Sequence, residues 1–152
     1  MRIILNLETE YGNINFLPFL PKNSQVNDYL NSIDIDLGGM SGAEGWNLPS
    51  FNATCLGKWS IVLNSSAHKD WATEDNSILV EPSGKEPVYD GIFFKEGSDF
   101  NQGNIYTFSE DEFMEAMNKA ESKLGQKNTE GVKLKDKFSY SSTLNSILDK
   151  IN

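Results

Sequence analysis

Residues Trp59-Ser60-Ile61-Val62-Leu63 are apolar at nearly every position. A strand with one face in water alternates polar and apolar residues. A nearly unbroken apolar strand is covered on both faces, which is how strands of a parallel sheet flanked by helices read. Ile78-Leu79-Val80 has the same character over a shorter span. The run at Trp59 therefore constrains the fold to an α/β layered arrangement in which helices alternate with strands.

The neighbouring segments fit that frame. Ile3-Ile4-Leu5-Asn6-Leu7 and Ile14-Asn15-Phe16-Leu17 read as strands, the second ending at Pro18 and Pro21. Ser24 is placed to cap a short helix with Val26, Tyr29, Leu30 and Ile33 on one face, and Ile33-Asp34-Ile35-Asp36-Leu37 reads as a strand. A glycine-rich loop, Gly38 to Leu48, then leads into a helix starting at Pro49 and closed by Gly57. From Ser83 to Thr107 the pattern predicts a long loop with a small hairpin. Ser109 and Glu112 spell a capping box, followed by a stripe of Phe113, Ala116, Met117, Ala120 and Leu124 that ends at Gly125. A last helix is expected from Ser141 or Ser142, burying Leu144, Ile147, Leu148 and Ile151.

With 152 residues, the expectation is one domain with a real core. Its 13 basic and 22 acidic residues give a net charge of −9. Five basic residues face 18 acidic ones between Ile3 and Asn118, whereas seven lysines face four acids from Lys119 onward. A body this acidic repels phosphate backbones and anionic lipid, which argues against nucleic acid as a partner. The tail's lysines read as a solvated face of a helix and the loop after it. No apolar stretch approaches the roughly 20 residues of a membrane span. The lone Cys55 and the absence of a secretion signal predict a reducing cytoplasm.

The Gly38–Leu48 loop is the candidate site, because open α/β sheets place ligands where a strand's carboxyl end meets a helix N-terminus. It carries no Gly-x-Gly-x-x-Gly and no P-loop Lys-Ser/Thr pair. Spacing alone leaves a structural turn and a binding loop equally open. His68 follows a strand's carboxyl end and is placed to line the same cleft, although a lone His with no cluster of other ligands does not make a metal site. Asp34-Ile35-Asp36 has the Asp-x-Asp spelling of metal-diphosphate sites, against which stands a solvent-facing pair on an alternating strand. Trp46, Trp59 and Trp71 read as packing residues, with Trp46 also placed to stack on a ligand.

Glu44-Gly45-Trp46-Asn47-Leu48-Pro49, the helix ending in Cys55-Leu56-Gly57, the Trp59–Leu63 strand and Asn76-Ser77-Ile78-Leu79-Val80-Glu81-Pro82 follow one another in a telling order. Together they resemble the carboxyl-terminal, donor-binding half of GT-B glycosyltransferases of the glycosyl transferases group 1 type, from about Ile14 to the end. The resemblance implies a Rossmann-like three-layer domain with a mostly parallel sheet. It implies a single, truncated domain over 1–152 that binds a nucleotide-diphosphate sugar for retaining glycosyl transfer, with no cofactor or metal and with a separate chain supplying the acceptor domain. By position, Glu44 takes the catalytic-site role of contacting the donor sugar hydroxyls, Gly45 completes the loop, and the backbone N–H groups of Trp46, Asn47 and Leu48 face the sugar and diphosphate. The family's second Glu, eight positions on, grips the ribose diol; it falls at Asn52, a substrate-binding position whose amide accepts from one hydroxyl and donates to another. The family's basic pair for the diphosphate has no counterpart before Lys22, leaving Lys58 and Lys69 as candidates. The alternative is a non-catalytic, degenerate carbohydrate- or protein-binding module.

Overall fold

The structure, a computed structural model, describes residues 14–151. Ile3–Leu7, expected as a strand, lies outside them. The described chain runs α1 (Asn23–Ser32), β1 (Ile35–Gly39), α2 (Leu48–Cys55), β2 (Trp59–Leu63), a 3-10 turn (Ser66–Asp70), β3 (Ile78–Val80), β4 (Gly84–Pro87), β5 (Asn104–Thr107), α3 (Glu110–Glu121), α4 (Thr129–Lys137) and α5 (Tyr140–Ile151). β1, β2 and β3 form a parallel sheet in that order, and β4 and β5 form an antiparallel ribbon. The expected α/β class with a parallel sheet is thus present.

All five residues of β2 are buried, and its alternating side chains serve two cores. Trp59, Ile61 and Leu63 pack with Ile78, Val80 and the α3 residues Ala116 and Ala120. Val62 faces the other way, into Trp71, Ala72 and Leu134, with Phe51, Cys55 and Phe138 packed around them. Helices on both faces remove the strand from water, which is what its composition demanded. Small residues let α2 lie close on its face: Ser50, Ala53 and Thr54 are buried, and the Thr54 hydroxyl donates to the Ser50 carbonyl at 2.8 Å and lies 2.9 Å from the Ser60 hydroxyl.

α2 ends as Gly57 predicts. Gly57 has φ +87°, its N–H donates to Thr54 and that of Lys58 to Ala53, a Schellman closure.

Several expectations need correction. Ile14–Leu17 is irregular rather than a strand and its apolar side chains are exposed; Pro18 removes a ladder donor at its end. α1 starts at Asn23, with the Gln25 side chain accepting from the Lys22 N–H, and of its expected apolar face only Leu30 is buried. β1 lies two residues later than expected, because Ile33 caps α1 and Gly39 continues the pairing against Val62. Ser109 is the N-cap of α3 but its hydroxyl makes no cap bond; Glu110, Asp111 and Glu112 in the first turn instead complement the helix dipole. Met117 and Leu124 of the stripe are exposed. α5 is capped by Ser139, whose hydroxyl accepts from the Ser142 N–H, and buries none of its apolar residues.

α4 occupies the segment read as a loop. Its signal was the cap rather than a stripe: buried Asn128 accepts from the Gly131 N–H through Oδ1 and donates through Nδ2 to the Lys58 and Asn76 carbonyls. One side chain thereby ties α4 to the starts of β2 and β3. Asn128→Ala strands all three groups, so it is expected to lower unfolding stability by about 2–4 kcal/mol in a urea titration. An unchanged midpoint would show that the tie contributes nothing.

Candidate functional site

The carboxyl ends of β1, β2 and β3 share one edge of the sheet. The Gly38–Leu48 loop, the 3-10 turn and Glu81 gather there. Asn64, just past β2, donates its backbone N–H to the Val80 carbonyl and its side-chain amide to Glu81 at 2.6 Å.

Asn47 organises the loop. It is the N-cap of α2 in a left-handed conformation, φ 59°, which Asn tolerates better than most residues. Its Oδ1 accepts from the Ser50 N–H, while its Nδ2 donates to the Gly38 carbonyl at 2.8 Å and approaches His68 Nε2 at 3.1 Å. His68 has no exposed surface, and its Nδ1 lies 2.9 Å from the Leu63 carbonyl. A carbonyl only accepts, so Nδ1 carries the proton and Nε2 takes the Asn47 hydrogen. His68 is therefore brought to the loop as expected, but as an internal tether with both ring nitrogens engaged.

The glycines separate packing from access. A Cβ on Gly39 would overlap the Ile61 carbonyl, and one on Gly42 would overlap the Tyr106 carbonyl of β5. Tyr106 also donates its N–H to the Gly42 carbonyl, which seats the ribbon on the loop. Gly45 has no heavy atom within 4 Å of an added Cβ and no positive φ. The fold gives reasons for Gly39 and Gly42, whereas at Gly45 the loop is open.

Around this opening lie unused polar groups. Among the described residues, the backbone N–H groups of Gly45, Trp46, Asn47 and Leu48 have no acceptor. The half-buried Glu44 makes no side-chain hydrogen bond there, and its carbonyl accepts from Ala67 at 3.5 Å. The Trp46 ring packs edge-on to Phe51 and Phe138, and its carbonyl accepts from the Trp71 indole, so its ring is a packing element while its N–H stays free.

Other expected residues lie elsewhere. Asn52 lines a cleft of about 480 Å³ between α1 and α2, into which Leu48, its N–H at the loop, also extends and which Glu44 does not line. Lys58 is at the opposite end of β2, donating to the Asn31 carbonyl at the end of α1. Lys69 is exposed on the 3-10 turn beside the loop. Asp34 is exposed and Asp36 buried, so they form neither the metal pair nor the solvent-facing pair. Asp36 Oδ1 accepts from the Gly38 N–H, and Oδ2 is buried without a partner, as is the Ser50 hydroxyl beside Gly38. The alternating pattern of β1 does not mark Asp36 as buried. No group of three or more His, Cys, Asp or Glu among the described residues is arranged to hold a metal. None of their helices is long and apolar enough to cross a membrane.

Comparison with protein-family models and with curated proteins found no match.

Burial holds the His68 pKa below its ordinary 6.5, opposed by its bond to Leu63 and by the Glu44 charge. The unfolded chain takes up the proton first as pH falls. Neutral His68 thus contributes its full stability above about pH 6.5 and loses it as pH drops from there toward the folded pKa. His68 is the single histidine, so its imidazole signal in an NMR titration is unambiguous. A value below 6.5 is expected, and a value at or above it would contradict the buried tether.

Proposed function

We propose that the loop from Gly38 to Leu48 binds a nucleotide-diphosphate sugar, in the manner of the donor half of a GT-B glycosyltransferase. The supporting observation is the run of acceptor-free N–H groups from Gly45 to Leu48 at the start of α2, flanked by the uncommitted Glu44 carboxylate. Peptide N–H groups and the positive end of the helix dipole suit phosphate oxygens. A carboxylate suits vicinal sugar hydroxyls, since it accepts two hydrogen bonds at once. The loop edge is the carboxyl edge of a parallel sheet, the position such ligands occupy in open α/β folds. In this reading Asn47 and His68 position the loop, and Asn52 takes no part in gripping the nucleotide.

Binding without independent catalysis is the form of this reading that the charges favour. Transfer builds negative charge on the departing diphosphate, and its stabilisation is usually the largest catalytic contribution. Lys58 is committed to Asn31 at the far edge, which leaves the exposed Lys69 as the nearby candidate cation. A separate acceptor-domain chain would supply both the acceptor and the missing positive charge.

Calorimetric titration with UDP-, GDP- and ADP-glucose tests the proposal. At least one should bind, and Glu44→Ala should weaken that sugar nucleotide by about tenfold or more while leaving the bare nucleoside diphosphate nearly unchanged, the loss of charge-assisted bonds to hydroxyls. Absence of heat with all three at millimolar ligand sinks the proposal. Equal weakening of sugar nucleotide and diphosphate would remove the role given to Glu44.

A further inference from the structure

The connection between β4 and β5, residues 88–103, has no regular secondary structure yet is tied by its own polar groups. Asp90 Oδ1 accepts from the N–H groups of Ile92, Phe93 and Phe94 at 2.7, 2.8 and 2.9 Å. Gln102 donates to the Lys95 carbonyl and to the Ser98 hydroxyl, and the Val88 N–H donates to Gly103. The N–H groups of Phe94, Ile92 and Phe93 draw the Asp90 pKa down; together with the Gln102 and Val88 bonds they hold the backbone without an apolar core. Long ordered loops of this kind carry function more often than packing.

The loop encloses a cleft of about 250 Å³ lined by Tyr89, Phe100, Lys95, Asp99 and Asn101. Tyr89 and Phe100 are 56% and 72% exposed, so their rings are on offer rather than buried. Among the described residues the Tyr89 hydroxyl, the Lys95 ammonium and the Asp99 carboxylate have no partner. We propose that this cleft binds a short neutral oligosaccharide. Flat exposed rings suit the apolar faces of pyranose rings, and the unpartnered carboxylate and ammonium at their rim suit the hydroxyls between those faces. The mixture of both signs of charge gives no preference for an anion, and the cleft is too polar for a purely apolar ligand.

The ribbon joins this cleft to the Gly38–Leu48 loop at Gly42. β5 touches Gly42 through Tyr106, and a strand rise of about 3.4 Å per residue puts the cleft roughly 10 Å further along the ribbon.

The test is ¹H–¹⁵N NMR of the full chain titrated separately with maltotriose, cellotriose and chitotriose, to about 10 mM for an affinity near 1 mM. At least one should shift amides within 88–102 selectively. Tyr89→Ala and Phe100→Ala should each weaken that sugar by about tenfold. Ile92→Ser, on the same loop but outside the cleft, should leave the affinity unchanged. No shift with any of the three, or equal binding by the Tyr89→Ala and Phe100→Ala variants, overturns the proposal. Trisaccharide binding is read at 88–102 and sugar-nucleotide binding at 44–48, so either fails without the other.

Discussion

A strand that is apolar on both faces has to be covered twice, and β2 imposes that demand on everything around it. Trp59, Ile61 and Leu63 require α3, while Val62 requires the layer built by α2, Trp71 and α4. Burying β2 also fixes the direction of its neighbours, because a strand enclosed by crossover helices pairs in parallel. Parallel pairing gathers the strands' carboxyl ends on one edge, where the N–H groups of Gly45 to Leu48 are uncommitted. The site is thus a consequence of the core: helix α2, laid down to cover β2, brings its N-terminus to the edge where the loops meet.

That edge is rigid on one side and open on the other. Asn47 links the Gly38 carbonyl, the first turn of α2 and His68, and His68 is anchored in turn to the end of β2. Gly39 and Gly42 let β2 and β5 approach too closely for a side chain. The result is a loop whose inner groups are spent on the fold and whose N–H groups from Gly45 onward are not. A site held in place before its ligand arrives loses less conformational entropy on binding.

Much of this was legible in the sequence, for physical reasons that differ between elements. The unbroken apolar run at Trp59 has no other comfortable environment, and Gly57 occupies a left-handed cap that favours glycine, so β2 and the end of α2 were readable. The loop was readable from its glycines, although not which of them served packing. Burial of the amphipathic segments was overestimated, because periodicity gives a face and says nothing of whether something covers it: Val26, Tyr29, Leu144 and Ile147 keep the expected spacing and remain exposed. α4 carries little periodic signal, since its Thr129–Lys137 sequence has few apolar residues, and its order comes from the tertiary bonds of Asn128. The tether between Asn47 and His68 joins positions 21 residues apart and leaves no trace in local pattern.

The central claim is that the N–H groups at the head of α2 receive the diphosphate. Amide hydrogen exchange, measured with and without the sugar nucleotide that binds, tests it at the atoms concerned. The account predicts slowed exchange at Gly45, Trp46, Asn47 and Leu48, with the rest of α2 little changed. Binding that leaves those amides exchanging as before, or protects a different edge of the sheet, would contradict it.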